Sequence, residues 1–266
     1  MGPLNEYGGG RVTVISLQSG SNGNCLYVEY GETRLLFDAG ISGARAEQRL
    51  ARFGRDVRAV DALVLSHEHR DHVCCAGVYQ RKFGLPIYAT EKTLAAASAR
   101  QGLGRLTDVR HFRAGDTLAI DGVRIETVRT AHDGIDGAAF VVEADGARIG
   151  LMTDLGCVFD GLGDVIASLD AVMIESNYDP EMLAAGPYPP HLQERIRGPG
   201  GHLSNAEAAE LLRDCAPGSL RWACLSHLSE TNNTPSLALR THESILSRPT
   251  QLIAASRGAP VLLPEL

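Results

Sequence analysis

This 266-residue chain contains the run SHEHRDH at residues 66–72, which directly follows an apolar stretch. That stretch predicts a strand, and alternate residues of an extended segment point the same way, so His67 and His69 can share one metal ion. Asp71 and His72 can then turn to the opposite side and serve a second ion. The alternative is a polar loop in which Asp71 caps a helix. Four potential ligands within six residues favour a metal site, because imidazole and carboxylate groups bind zinc, manganese and iron.

Three further candidate ligands, His132, Asp154 and His227, each follow an apolar stretch that predicts a strand. A single histidine after a strand is more often structural than a metal ligand, and Asp154 could be an ordinary turn or N-cap residue. Taken together, they lie at strand ends that would share one edge of a sheet. We therefore expect them to complete the site.

The order of strands and helices predicts an α/β (α+β) fold, a four-layer αββα sandwich in one domain over residues 1–266. Strands are predicted at residues 12–17, 25–30, 33–37, 61–65, 87–89, 109–112, 117–120, 123–129, 138–144, 147–153, 170–174, 221–225 and 250–263. Helices are predicted at residues 43–54, 72–83, 91–101, 161–168, 204–214 and 235–247. Residues 1–10 are a polar, glycine-rich lead-in, and the Pro- and Gly-rich segment 178–200 is predicted to be an insert or lid.

The composition of the chain limits its possible functions and cellular compartment less strictly than the motifs do. A net charge of −7 argues against a general nucleic-acid coat, but it does not exclude an enzyme that meets phosphates through metal ions and a local basic patch. Six cysteines without CxxC spacing indicate a reduced compartment. We see no signal peptide and no apolar stretch long enough to span a membrane, so a cytoplasmic protein without a membrane partner is expected.

The pattern HxHxDH followed by a distant His, Asp and His resembles the metallo-β-lactamase fold superfamily. The resemblance implies two divalent metal ions, zinc first, with manganese or iron as alternatives. It assigns His67, His69 and His132 to one ion. It assigns Asp71, His72 and His227 to the other, with Asp154 bridging the two and Asp38 supporting the metal loop.

Four further segments resemble one bacterial branch of that superfamily, the YycJ (also called WalJ) proteins. They are SGSNGN at residues 19–24, ESNYD at 175–179, GHLSN at 201–205 and SHLSETNN at 226–233. Members of the branch are regarded as DNA exonucleases. The resemblance therefore implies a metal-dependent phosphodiester hydrolase with a nucleic-acid substrate, DNA first, and with 5′-to-3′ polarity. The oligomeric state stays open.

The catalytic candidates are Asp71, His202 and Glu175. Asp71 would orient the attacking water as well as bind metal, and His202 would contact the scissile phosphate or protonate the leaving oxygen. His202 could instead be a helix-entry residue before a capping box of Ser204 and Glu207. Glu175 could merely hold a neighbouring loop. Ser204 and Asn24, with His202, are the candidate substrate-binding residues.

Two groups of residues have ordinary interpretations. Arg45, Arg49 and Arg52 recur on one face of the predicted helix 43–54, where they could guide a DNA backbone, although a solvated face is favoured. Cys74 and Cys75 directly follow the metal motif and are interpreted as small buried side chains.

The functional alternatives belong to two classes. One is another hydrolase of the same fold, such as a β-lactamase, thioesterase, lactonase or a small-molecule or cyclic-phosphate phosphodiesterase. The other is a non-catalytic regulator, which would be expected to have lost metal ligands.

Overall fold

The computed structural model describes residues 11–247 and 249–266, and the predicted lead-in at residues 1–10 lies outside these ranges. Within the described residues the strands are β1 Val12–Gln18, β2 Cys25–Tyr30, β3 Thr33–Phe37, β4 Ala62–Val64, β5 Ile87–Thr90, β6 Val109–Phe112, β7 Thr117–Ile120, β8 Val123–Arg129, β9 Ala138–Ala144, β10 Ala147–Met152, β11 Ala171–Glu175, β12 Trp222–Ser226, β13 Gln251–Ala254 and β14 Val261–Leu262. The helices are α1 Gly43–Ala51, α2 Arg70–Val73, α3 Ala76–Phe83, α4 Glu91–Gln101, α5 Leu162–Ala167, α6 Pro180–Ala185, α7 Pro190–Arg197, α8 Asn205–Cys215 and α9 Pro235–Ile245, with a 3-10 turn at Val57–Ala59.

In the described part of the chain these strands form two sheets of seven, which confirms the predicted sandwich. One sheet has the order β14-β1-β2-β3-β4-β5-β6, and the other has the order β13-β12-β11-β10-β9-β8-β7. A central apolar layer that includes Phe37, Phe140 and Trp222 lies between the sheets. Two outer layers pack helices onto the opposite faces, with Leu50 and Tyr79 in one and Leu211 in the other. Burial of apolar surface on both faces of each sheet explains the nearly continuous apolar strands.

The parallel part of each sheet determines where the site forms. Strands β3, β4, β5 and β6 run parallel in the first sheet, as do β10, β11, β12 and β13 in the second. The carboxyl ends of parallel strands lie at one edge of a sheet, where the chain leaves the ladder and side chains can converge. The SHEHRDH run follows β4 at this edge.

The prediction of one continuous helix over residues 72–83 is wrong. The chain forms α2 and α3 with a break at Cys74 and Cys75. The carbonyl of Asp71 accepts a hydrogen bond from the Asn24 N–H (2.7 Å), and the N–H of Cys75 donates to Ala39 (3.0 Å), so neither is available to a helical ladder. A Cβ on Gly40 would lie 1.6 Å from the Asp71 carbonyl oxygen, so only glycine permits this contact. Tertiary hydrogen bonds have replaced local ones.

Two other predictions require correction. Residues 250–263 are not one strand, because β13 lies in the second sheet and β14 pairs with β1 in the first. Arg49 is not on a solvated face: its buried guanidinium donates to the Leu17 carbonyl (2.5 Å) and to the Gln18 side chain (2.7 Å). The sequence pattern could not show this, because both acceptors belong to a strand distant in sequence.

The segment 178–200 contains α6 and α7, and its role as an insert or lid stays a prediction. No helix among the described residues is long and apolar enough to cross a bilayer.

Candidate metal centre

The seven predicted ligands converge at the common strand edge. His67 and His69 follow β4, Asp71 and His72 lie in α2, and His132 follows β8. Asp154 follows β10 and His227 follows β12. Four groups of donor atoms, each closer together than 4.8 Å, are formed by the described residues: His67, His69 and His132; His67, His72 and Asp154; Asp71, His72 and His227; and Asp154, Glu175, His202 and His227.

Asp154 lies between two sets of histidines. Its Oδ1 is 4.0 Å from His67 Nε2 and 3.7 Å from His132 Nε2. Its Oδ2 is 3.2 Å from His72 Nε2. On the other side, His227 Nε2 is 3.3 Å from Asp71 Oδ2. Asp154 Oδ1 is also 3.5 Å from His227 Nδ1, so the carboxylate lies within reach of both donor sets, as a bridging ligand would.

The donor set fits divalent cations. Among the described residues, His67 Nε2 and Asp154 Oδ2 are buried without a hydrogen-bond partner. A buried polar atom left unpaired costs about 1–3 kcal/mol, so these two atoms favour an additional binding partner between them. Nitrogen and carboxylate donors suit zinc, manganese or iron. The site is therefore compatible with the metal ions that the sequence predicts.

The pKa values of the site indicate where a cation would take the place of a proton. Burial lowers the pKa of His67 and His69, which keeps both imidazoles neutral, the form that binds metal. Burial by itself raises the pKa of Asp71, but His72 and His227 outweigh it and hold that pKa below its usual range. Burial lowers the pKa of His227, but Asp154, Asp71 and Glu175 raise it to about 10. The carboxylates of the site thus attract positive charge, which a divalent cation would supply in place of a proton.

Hydrogen bonds behind the ligands fix their orientation. Asp38 accepts from His72 Nδ1 (2.7 Å) and from the backbone N–H and hydroxyl of Ser66 (2.9 Å each). His132 Nδ1 donates to the Gly201 carbonyl oxygen (2.8 Å). Such contacts select one tautomer and hold the other ring nitrogen toward the site. Asp38 therefore contacts a predicted ligand, and its role in supporting the metal loop stays a prediction.

The sequence pattern did not single out Asp133. Its Oδ1 lies 3.2 Å from His69 Nε2, and its Oδ2 pairs with the guanidinium of Arg195 in α7 (2.5 and 2.8 Å). The only sequence signal was its position directly after His132. Its contact with His69 depends on the approach of two different sheets, which no local pattern shows.

Glu175 connects His202 to the metal ligands. The carboxylate is fully buried, and its Oε1 lies 2.8 Å from His202 Nδ1 and 2.9 Å from His227 Nδ1. The His202 ring centre is 5.0 Å from that of His132 and 5.1 Å from that of His227. His202 therefore lies beside both sets of predicted ligands, with Glu175 behind it.

Asn24 and Ser204, the two remaining predicted site residues, have different surroundings. Asn24 Nδ2 lies 3.1 Å from Asp71 Oδ2 and 2.9 Å from His72 Nε2, so this side chain contacts predicted metal ligands. Ser204 forms the expected capping box with Glu207 and is buried. Asp71 is not a helix N-cap, since His69 holds that position in α2. Substrate binding by Asn24 and Ser204 stays a prediction.

Two sheets packed face to face, with histidines and carboxylates gathered at the ends of their parallel strands, are the fold and site of a metal-dependent hydrolase. The family model described as "Beta-lactamase superfamily domain" matches residues 33–227. The chain is 36% identical over 227 residues to the exodeoxyribonuclease WalJ of Streptococcus pneumoniae serotype 2 (85% of this chain, 84% of that protein). It is 34% identical over 230 residues to the exodeoxyribonuclease YycJ of Bacillus anthracis (86% and 87%). The chain belongs to the β-lactamase superfamily and, within it, to the family of WalJ and YycJ.

A solved structure has the same fold at low sequence identity. The metallo-β-lactamase fold protein YhfI from Bacillus subtilis superposes with a TM-score of 0.72 at 17% identity, over 96% of this chain and all of that one. The four-layer architecture is therefore that of the superfamily.

Proposed function

We propose that this protein is a metal-dependent DNA exonuclease that acts in the 5′-to-3′ direction. The observation that carries the proposal is the position of His202, whose ring lies about equally far from His132 and His227 and is held by buried Glu175. A phosphodiester placed between the two donor sets would contact this imidazole. The names of the relatives WalJ and YycJ support DNA as the substrate.

We propose that the site holds two divalent ions, with zinc as the first candidate and manganese or iron as alternatives. His67, His69 and His132 would hold one, and Asp71, His72 and His227 the other, with Asp154 between them. When bound, such ions activate water and neutralise charge on phosphoryl oxygens. The metal content of the purified protein, measured by plasma mass spectrometry, tests this assignment: two equivalents per chain are expected, and a single equivalent would contradict it.

The protein side chains would perform the remaining tasks. Asp71 accepts a hydrogen bond from Asn24 and can orient the attacking water through its second carboxylate oxygen. Glu175 accepts from His202 Nδ1, which leaves His202 Nε2 to contact the phosphate or to give a proton to the leaving oxygen. Asp38, Ser66 and Asp133 keep the imidazoles in place.

The test offers duplex DNA labelled at the 5′ end, bis-p-nitrophenyl phosphate and nitrocefin to the purified protein with Mn²⁺ or Zn²⁺. Early release of labelled mononucleotides is expected, without opening of nitrocefin. Release of nitrophenol without nucleotides would overturn the exonuclease proposal in favour of a small-molecule phosphodiesterase. Label that stays on long fragments while nucleotides leave the 3′ end would overturn the polarity.

Variants test the residue assignments in the same assay. Asp71→Ala with His72→Ala should abolish hydrolysis, and undiminished digestion would refute the site. His202→Asn should lower kcat by about 10²–10⁴-fold if His202 is a general acid. His191→Asn is the matched control, because His191 is exposed in α7 and belongs to none of the donor groups found among the described residues. Equal rates for the two histidine variants would exclude the proposed role of His202.

A further inference from the structure

A second cavity lies directly beside the metal centre. We name it the flank cavity and define it by six of its lining residues, Ser21, Arg45, Arg70, Asp71, Cys74 and Cys75. Its volume is about 390 Å³. The active-site cavity, about 300 Å³ and lined by Asp154, His202 and His227, shares Ser21, Arg70 and Asp71 with it. The two volumes therefore adjoin across Asp71, and a chain-like molecule bound at the metals could extend from one into the other.

The flank cavity is basic although the protein is acidic. Its charged lining residues are Arg45, Arg70 and Asp71, and Asp71 is a predicted metal ligand. No ion pair joins Arg45 or Arg70 to a carboxylate within residues 11–247 and 249–266, whereas Arg100 and Arg195 at the active-site cavity pair with Glu68 and Asp133. Both arginines of the flank cavity are exposed, and Arg70 donates to the neutral Gln101 side chain at 3.5 Å. Their positive charges are thus available to an anion from solution.

The lining also indicates which part of an anionic chain would be recognised. No aromatic side chain lines the flank cavity among the described residues. Stacking on aromatic rings is the usual way in which proteins hold unpaired bases, and arginine is suited to phosphate oxygens. The cavity therefore fits a sugar–phosphate backbone and offers no platform for bases.

We propose that the flank cavity binds phosphates of the DNA strand next to the scissile phosphodiester, through Arg45 and Arg70. This inference rests on the proposed function, because it takes a DNA strand as the substrate of the metal centre. The proposal gives different roles to the three arginines that recur on one face of the predicted helix 43–54. Arg49 is buried and structural, and Arg45 lines the flank cavity, whereas Arg52 is not one of the described residues that line it.

The first test is the salt dependence of oligonucleotide binding by the complete protein loaded with metal. The plot of log K against log salt concentration has a negative slope. Removal of one arginine–phosphate pairing with single-stranded DNA should make that slope shallower by about 0.7. Arg45→Gln should therefore make the slope shallower by roughly that amount and weaken binding at low salt. Arg52→Gln, from the C-terminal end of the same helix, is the matched control and should keep the slope of the unmodified protein. Equal slopes for the two variants would overturn the proposal.

A second test uses the two thiols as reporters of occupancy. Cys74 and Cys75 are half-buried and line the flank cavity, whereas Cys215 is half-buried in α8. A saturating phosphorothioate oligonucleotide should slow alkylation of Cys74 and Cys75, read by peptide mass spectrometry, and leave that of Cys215 unchanged. Unchanged alkylation at all three cysteines, with binding verified by fluorescence anisotropy, would overturn the proposal.

The two proposals can fail separately. A protein that releases mononucleotides but shows neither the slope change nor the protection retains the exonuclease function and lacks the flank site. A protein that binds oligonucleotides with the expected slope and protection but hydrolyses none retains the flank site and lacks the proposed activity.

Discussion

Three residues of the site have a left-handed backbone although none of them is glycine. Asp38, Asp154 and His227 have φ values of 63°, 58° and 54°. Aspartate and histidine tolerate this region better than most residues, but it still costs roughly 1–2 kcal/mol for an L-residue. Each stands just past the end of a strand, where the turn directs its side chain to the metal centre. The surrounding sheets maintain this strain, as is common at functional sites.

Asp133 should contribute to the metal affinity of the site through its contact with His69. Because its carboxylate lies 3.2 Å from His69 Nε2, Asp133→Asn should weaken the orientation of that imidazole. Loss of such a supporting carboxylate typically lowers metal affinity by about 10–100-fold. Competition with a chromogenic chelator measures the change. Asp160→Asn, at an exposed position outside the described donor groups, serves as the control, and equal affinity of both variants would contradict the prediction.

At the scale of the elements, most strands and helices could be predicted because their signals are local. The bounds of β6, β7, β8, β9 and α4 match the prediction, since turn residues and apolar periodicity mark their ends. The break between α2 and α3 could not be predicted. It arises because Asn24 and Ala39, distant in sequence, take the hydrogen bonds that a continuous helix needs.

Helix α9 contains a buried histidine that should make stability depend on pH. Burial lowers the pKa of His242 to about 4 from 6.5. The unfolded chain therefore binds more protons between these values, so the free energy of unfolding falls as the pH drops from 6.5 to 4. A shift of this size corresponds to about 3 kcal/mol.

Urea unfolding of the protein and of His242→Leu at pH 7 and pH 4 measures this contribution. The variant should lose about 3 kcal/mol less than the unmodified protein on acidification. Effects of the metal centre are common to both proteins and cancel in the difference. His191→Asn, which changes an exposed histidine, should follow the unmodified protein. Equal losses in the protein and His242→Leu would show that His242 does not titrate in this window.

At the scale of the whole molecule, the predicted metal ligands come from both sheets. His67, Asp71 and His72 come from the first sheet and its helix, while Asp154 and His227 come from the second. Ligands from both sheets that bind the same ions would connect the two halves of the sandwich. Ion binding to the folded state alone must raise the free energy of unfolding.

Metal addition should therefore raise the melting temperature of the chelator-treated protein. One ion at a hundredfold excess over its Kd contributes about 2.7 kcal/mol. For a chain of this size that corresponds to a rise of roughly 5–10 °C in Tm, read by scanning calorimetry. Asp154→Ala, which removes the carboxylate between the two donor sets, should reduce the rise. An identical Tm with and without Zn²⁺ or Mn²⁺ would contradict the metal assignment.

The alternation of strands and helices and the set of seven candidate ligands could be predicted, because both depend on local periodicity and on residues at strand ends. The contacts of those ligands could not, because they arise only in the folded protein. Folding placed Asp133 beside His69, put Glu175 between His202 and His227, and buried Arg49 while leaving Arg45 at a cavity. These contacts join segments far apart in the chain, and only the packing of two sheets against each other brings such segments together.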